Sequence, residues 1–383
     1  MSNHRWMSLN FFVFFFTWGI FLPYWTGWLA DGKGLSIPEA SIIMGAGLFI
    51  RSASTLFLYP FISKYWSQKT VFWFFTLSSF FLALLYIVSS TFVALLVVTV
   101  LFSVFYPTLL ATVESMGGTL VQNGSINYGK SRSYGSLGYI FSIFAISILS
   151  GYYGNMAILY SMIGGIVLLF LIGFLPTPEV LLSKPSKEER KNSLSMASLM
   201  SEKSFVIVLL IVILIHGSHA SVYNYGYIYV QDLGANSYMI GLILNIAVIC
   251  EIIYFAVADR LFRNWKTSSL LILAAIGSTL RWVLIFLFPN VWVFMFSQTL
   301  HALSFGVTHF AFTGYITEKL PPQQIPNAQG LYVSLAMSFS TAILTFATGF
   351  LYEMSPGLAF IAMLVCTIPA ILIILSTKKA YRY

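Results

Sequence analysis

The run from Tyr238 to Ala258, YMIGLILNIAVICEIIYFAVA, is almost wholly apolar and long enough for a helix to cross a bilayer, yet it contains an acid, Glu251. A carboxylate at that depth is tolerated only if it is paired, neutralised or turned toward water. The next two apolar runs each carry a basic or titratable group at comparable depth, Arg281 and then His301. Together they predict a bundle of membrane helices built around a polar interior.

Composition agrees with that reading. Hydrophobic residues make up 58% of the 383-residue chain and charged residues 8%, too few charges to cover a water-soluble surface. An all-α membrane protein is expected, and the length suits twelve spans of ~20 residues with short loops. Spans are placed at about 6–29, 40–62, 70–89, 92–115, 132–150 and 155–175, then 204–229, 238–258, 268–288, 291–316, 328–352 and 357–376. Met1 to Arg5 is short and the first apolar run lacks a small-residue cleavage site, so no cleaved signal is expected. Cys250 and Cys366 lie in apolar runs without a partner spacing, which suggests neither a disulfide framework nor a metal site.

The loops are sharply asymmetric in charge. On one side fall Arg5, Lys64, Lys69, Lys130, a cluster from Lys184 to Lys203, Arg260, Arg263, Lys266, Lys319, Lys378, Lys379 and Arg382; on the other, Lys33 alone. The positive-inside rule puts both termini and the central loop in the cytoplasm, as for a multi-pass protein of a bacterial inner membrane. The net charge of +8 is then topological, not a nucleic-acid footprint. Left inside or at the mouths of spans are Arg51, Arg132, Arg281, Glu114, Glu251, His216, His219, His301 and His309.

Residues 176–203, rich in Lys, Glu, Ser and Pro, read as a cytoplasmic linker between two six-helix bundles, 1–175 and 204–383. A weak internal echo supports the division: the second span exits into FISKYWSQKT and the eighth into VADRLFRNWKT. Repeated halves with a site at their interface are a transporter architecture.

VADRLFRNW resembles the basic turn after the second span of each half in the major facilitator superfamily, and the first copy is degraded, with Ser63 and Lys64 in place of Asp and Arg. TVESMGGTLVQNGSINYGKSRSYGSLGY, with Glu114 eighteen residues before Arg132 and then Gly135, Gly138 and Tyr139, resembles the equivalent stretch of lactose permease and related oligosaccharide and nucleoside proton symporters. That resemblance implies that Glu114 and Arg132 hold the substrate and that Tyr139 stacks on it. GSTLRW around Arg281 and TLH at Thr299 to His301 also resemble the ninth and tenth spans of that group; over the full length, HGSHA at His219, EIIYFA at Glu251, GAGLFIRS at Arg51 and HALSFGVTH with His301 and His309 are most similar to the phenylpropionate permease branch. One departure matters: where the lactose permease group has a proton-carrying glutamate three residues after the tenth-span histidine, this chain has Ser304, and Gln298 stands where a lysine precedes that histidine. Glu251 is therefore the candidate proton carrier.

At ~1.5 Å rise per residue, Glu251 lies roughly 12 Å and Arg281 roughly 20 Å from the cytoplasmic ends of their spans, and His301 roughly 15 Å from its outer end, so these groups share the midplane. Arg51 falls at similar depth, which predicts a layer of Arg51, Glu251, Arg281 and His301. The plainer readings stay open: a structural ion pair for Glu251 and Arg281, an interfacial pair for Glu114 and Arg132, satisfied buried rings for the histidines, and an interface belt for Tyr24, Trp25 and Trp28. His216 and His219, three apart, lack a third metal ligand.

The expected function is proton-coupled symport of a small organic solute by alternating access, with Glu251, His301 and Arg281 coupling the proton and Glu114, Arg132, Tyr139, Arg51 and His219 binding substrate. An excess of interior arginines and 17% aromatic residues suit an aromatic carboxylate of the phenylpropionate class. A sugar or nucleoside symporter and a proton-coupled efflux antiporter remain alternatives. The partners expected are the solute, protons and lipid, for a monomer without a cofactor. A membrane enzyme would need an acid, base and nucleophile or a nucleotide-binding loop, and a sensor an appended soluble domain; neither is found.

Overall fold

In the computed structural model, which describes residues 2–184, 196–262, 264–321, 324–381 and 383, the described residues are helical, with no strand. Six spans make the first set: α1 (Asn3–Gly32), α2 (Ile37–Ser63), α3 (Gln68–Val88), α4 (Phe92–Gln122), α5 (Tyr128–Tyr153) and α6 (Met156–Ile172). The second set is α7 (Lys203–Asp232), α8 (Ser237–Phe262), α9 (Thr267–Leu287), α10 (291–319), α11 (Ile325–Met354) and α12 (Pro356–Tyr381). Contacts divide the chain into two compact units, Met1–Ser193 and Leu194–Tyr383. Of the expected linker, 185–195 lie outside the described residues, as do Arg263 and Arg382; its described parts include a short turn at Glu179–Leu181 and a helix at Met196–Ser201.

Two opposite demands shape these helices. Large apolar side chains such as Phe57, Val88, Tyr152, Ile253 and Leu372 are exposed, a surface that lipid covers and water would not. Inside, many hydroxyls bond back to the preceding turn, as Ser79 Oγ does to the Phe75 carbonyl at 2.6 Å and Thr345 Oγ1 to the Thr341 carbonyl at 2.7 Å, so that they are satisfied without water. Lys33, alone on its side of the charge asymmetry, caps the end of α3: its Nζ donates to the carbonyls of Tyr86 and Ser89, each at 2.7 Å. A cation at a helix C-terminus is favoured by the helix dipole.

In the first unit α1 is the most enclosed helix, and α5 lies directly against it. A Cβ on Gly138 would stand 2.1 Å from the Phe12 carbonyl oxygen, and one on Gly135 2.7 Å from the Phe15 ring, so these two glycines let the backbones meet. Tyr24, Trp25 and Trp28 do not form an interface belt. All three are fully buried; Trp25 and Trp28 pack edge-on against Tyr86, and the Tyr24 hydroxyl donates to the Ile143 carbonyl at 2.8 Å. Aromatic rings fill the unit's core because α1, largely enclosed, turns most of its side chains inward.

Several spans are not regular throughout. α4 is interrupted around Pro107, which cannot continue the hydrogen-bond ladder. α7 breaks between Gly217 and Ala220, at Ser218 and His219. π-helical turns follow Arg51 (Ser54–Leu58) and His301 (Ala302–Gly306), and another opens at Tyr332 (Tyr332–Phe339). Such wide turns rotate the side chains that flank them and recur at functional sites.

Candidate functional site

In the second unit a buried polar cluster is organised by Arg281. Gly277, one turn earlier, brings α9 close to α10: a Cβ there would lie 3.0 Å from the Leu303 Cβ. Arg281 is fully buried and its guanidinium lies 4.9 Å from the centre of the Trp282 ring. Its Nη2 donates to Gln298 Oε1 at 2.8 Å, and its Nη1 donates to His301 Nδ1 at 3.1 Å and, more weakly, to Ser304 Oγ at 3.4 Å. Gln298, His301 and Ser304 recur every three residues along one face of α10. Arg281 Nε is buried without a hydrogen-bond partner.

These contacts fix proton positions. Because His301 Nδ1 accepts from the guanidinium, the ring carries its hydrogen on Nε2, and Nε2 stands 3.4 Å from Glu251 Oε2. The imidazole thus separates acid from arginine: the direct Glu251 and Arg281 pair considered from sequence is a three-member row. His219 Nδ1 donates to the Ile215 carbonyl at 3.1 Å, so its Nε2 accepts from Ser304 Oγ at 2.9 Å, and Ser304 joins the two rings' surroundings. The break in α7 delivers His219 to this place, where it stacks on Tyr223 and meets Trp282 edge-on. Glu251 keeps a quarter of its side chain exposed, whereas Arg281, His219 and His301 are buried.

The first unit holds the other predicted residues. Arg132 Nε donates to Glu114 Oε1 at 2.9 Å, the Tyr128 hydroxyl donates to Glu114 Oε2, and the Arg132 guanidinium covers the Phe15 ring at 3.9 Å. Both charged side chains are about a third exposed. Tyr139 lies one turn beyond Gly135, packed beside Gly19 of α1. Arg51 is buried with its guanidinium 4.7 Å from the Trp18 ring centre, beside a narrow cleft lined by Phe21, Met44, Thr99 and Ser103.

The structure therefore joins Glu251, Arg281, His301 and His219 in one cluster, and Glu114 with Arg132 in another. Sequence reasoning met Gln298 and Ser304 only as departures from a pattern, and they prove to be the shell of Arg281. Tyr128, which holds the second Glu114 oxygen, was missed; nothing in an aromatic-rich membrane sequence marks one tyrosine among 22. Among the described residues no group of three or more His, Cys, Asp or Glu is placed to hold a metal.

Comparison with known proteins gives a consistent result. The model of the MFS_1 like family matches residues 4–362. The chain is 27% identical over 370 residues, covering 97% of each protein, to the probable 3-phenylpropionic acid transporter of Escherichia coli (strain K12). It is 24% identical over 301 residues to the maltose permease of Geobacillus stearothermophilus, covering 78% of this chain and 75% of that one. Among solved structures, nucleoside transporter NupG superposes with a TM-score of 0.81 at 17% identity over 100% of both chains, a likeness of fold.

Proposed function

Since this chain belongs to the MFS_1 like family, we propose that it carries a small aromatic carboxylate of the phenylpropionate type across the membrane together with a proton, by alternating access. We place both termini on the cytoplasmic side of a bacterial inner membrane and take the working unit to be a monomer. The name of the Escherichia coli relative supports the solute class.

The observation that carries the proposal is the neutral shell of Arg281. A fully buried guanidinium costs several kcal/mol unless an anion offsets it, and its hydrogen-bond partners, Gln298, His301 and Ser304, are all uncharged. The balancing charge is Glu251, one imidazole away. Empty, the row Arg281, His301 and Glu251 is neutral overall. A bound carboxylate adds one negative charge, and a proton taken by Glu251 removes it. Each event lowers the cost of the other, so solute and proton affinity are reciprocally linked. His301 transmits the change: once Glu251 is protonated, Nε2 loses its anionic acceptor and the ring is free to shift against Arg281.

The coupling is one proton per monocarboxylate and electroneutral. In proteoliposomes, labelled 3-phenylpropionate should accumulate when the outside is made acidic and should not accumulate when a membrane potential is imposed at equal pH. A panel of maltose and a nucleoside should fail to compete. Potential-driven accumulation of 3-phenylpropionate would refute the charge balance, and preferential uptake of the sugar or nucleoside would refute the solute class.

A further inference from the structure

The coupling row leaves a second titratable cluster unused. The Tyr332 hydroxyl, on α11, lies 2.6 Å from His216 Nε2 of α7 and 3.0 Å from His309 Nδ1 of α10. A phenol donates one hydrogen and accepts another, so one imidazole accepts from Tyr332 while the other donates to it. His216 and Tyr332 are buried, and the Tyr332 ring is held in place by stacking on Phe312 at 4.5 Å.

This cluster lies next to the coupling row along the same helices. His309 follows His301 by about two turns of α10, and Phe305 stacks between their rings, 5.0 Å from one and 6.3 Å from the other. On α8, Phe255 comes one turn after Glu251 and touches the His309 ring edge-on at 5.8 Å. The seam between α8 and α10 thus reads Glu251 with His301, then the Phe305 and Phe255 rings, then His309. On the orientation proposed above, His309 is on the cytoplasmic side. The His216 and His219 rings are 6.1 Å apart, and those of His219 and His301 5.5 Å. The charged and titratable groups that face the cluster are His219 and Tyr223 of α7, Glu251 of α8 and His301 of α10; Arg281 of α9 lies beyond His219 and His301.

We infer that His216, Tyr332 and His309 form a second proton station beside the coupling row, which holds a proton during the release step and passes it from α7 to α10, toward the cytoplasm. The transfer balances within the cluster: a proton on His216 Nε2 moves to the Tyr332 oxygen as the phenolic hydrogen moves to His309 Nδ1, leaving His216 neutral, the phenol intact and His309 protonated. The inference rests on proton coupling at Glu251.

Tyr332→Phe removes the bridging oxygen and keeps the ring that stacks on Phe312. With the full-length protein in proteoliposomes, proton-driven accumulation of 3-phenylpropionate should slow by about a hundredfold, the low end of what a positioned proton-transfer group contributes. Exchange of preloaded 3-phenylpropionate, which needs no net proton release, should stay near wild type. The remaining uptake should depend more steeply on internal pH. His309→Gln, which can hydrogen-bond Tyr332 but cannot hold a proton, should reproduce the defect. Unchanged accumulation and internal-pH dependence in Tyr332→Phe would overturn the station. So would a parallel fall in exchange, accumulation and thermal stability, the mark of a packing role. Wild-type accumulation indifferent to the pH gradient would instead overturn coupling itself, and the station with it.

Discussion

Glu114 and Glu251 each share a half of the molecule with an arginine, and the two halves arrange the pair differently. In the first, Arg132 touches Glu114 directly at 2.9 Å, Tyr128 occupies the second carboxylate oxygen, and about a third of each charged side chain is exposed. In the second, His301 stands between Glu251 and a fully buried Arg281 whose own contacts are neutral. A closed, half-solvated pair has little left to offer a ligand and gains little from being made. A cation and an anion held apart in low dielectric can each take a new partner. On the mechanism proposed, coupling then belongs to the second half, and Glu114 and Arg132 take a lesser share in solute binding than the family resemblance implies.

The largest effect expected from this contrast is at Glu251. Glu251→Gln should abolish uphill uptake of 3-phenylpropionate while leaving exchange of preloaded solute, because the variant mimics the protonated acid permanently. Undiminished uphill uptake in this variant removes Glu251 from the cycle. Next comes Arg281→Gln, which takes away a charge-assisted contact of ~3 kcal/mol and should weaken 3-phenylpropionate binding by about a hundredfold. Arg281→Lys should recover only part of the loss, since an ammonium cannot span Gln298 and His301 as the planar fork does. Binding titrations on the purified protein decide this. The smallest effect is expected for Glu114→Gln, where an exposed pair is worth ~1 kcal/mol or less and affinity should fall by no more than about fivefold. A loss at Glu114 equal to that at Arg281 would erase the distinction between the halves.

Much of this was legible in the chain. Charges are so rare in the apolar runs that Glu251, Arg281 and His301 stood out, and a common depth followed from helix rise alone. Their order in the row was not legible, because depth along a helix says nothing about which side chain lies between two others. Gln298 and Ser304 showed only what the chain lacks relative to a known pattern, not that both turn to Arg281. Tyr24, Trp25 and Trp28 were misread for the same reason: aromatic residues near a span end suit an interface, and only the enclosure of α1 makes them core.

Hydropathy and loop charge are sums over neighbouring residues, so the sequence by itself determined how often the chain crosses the membrane and which charges it takes inside. Contacts among distant residues are set by how the helices pack and rotate. The break at His219 and the π turn after His301 alter that rotation locally. Only the tertiary structure therefore decided that an imidazole separates the acid from the arginine, and that Tyr332 joins two histidines more than ninety residues apart.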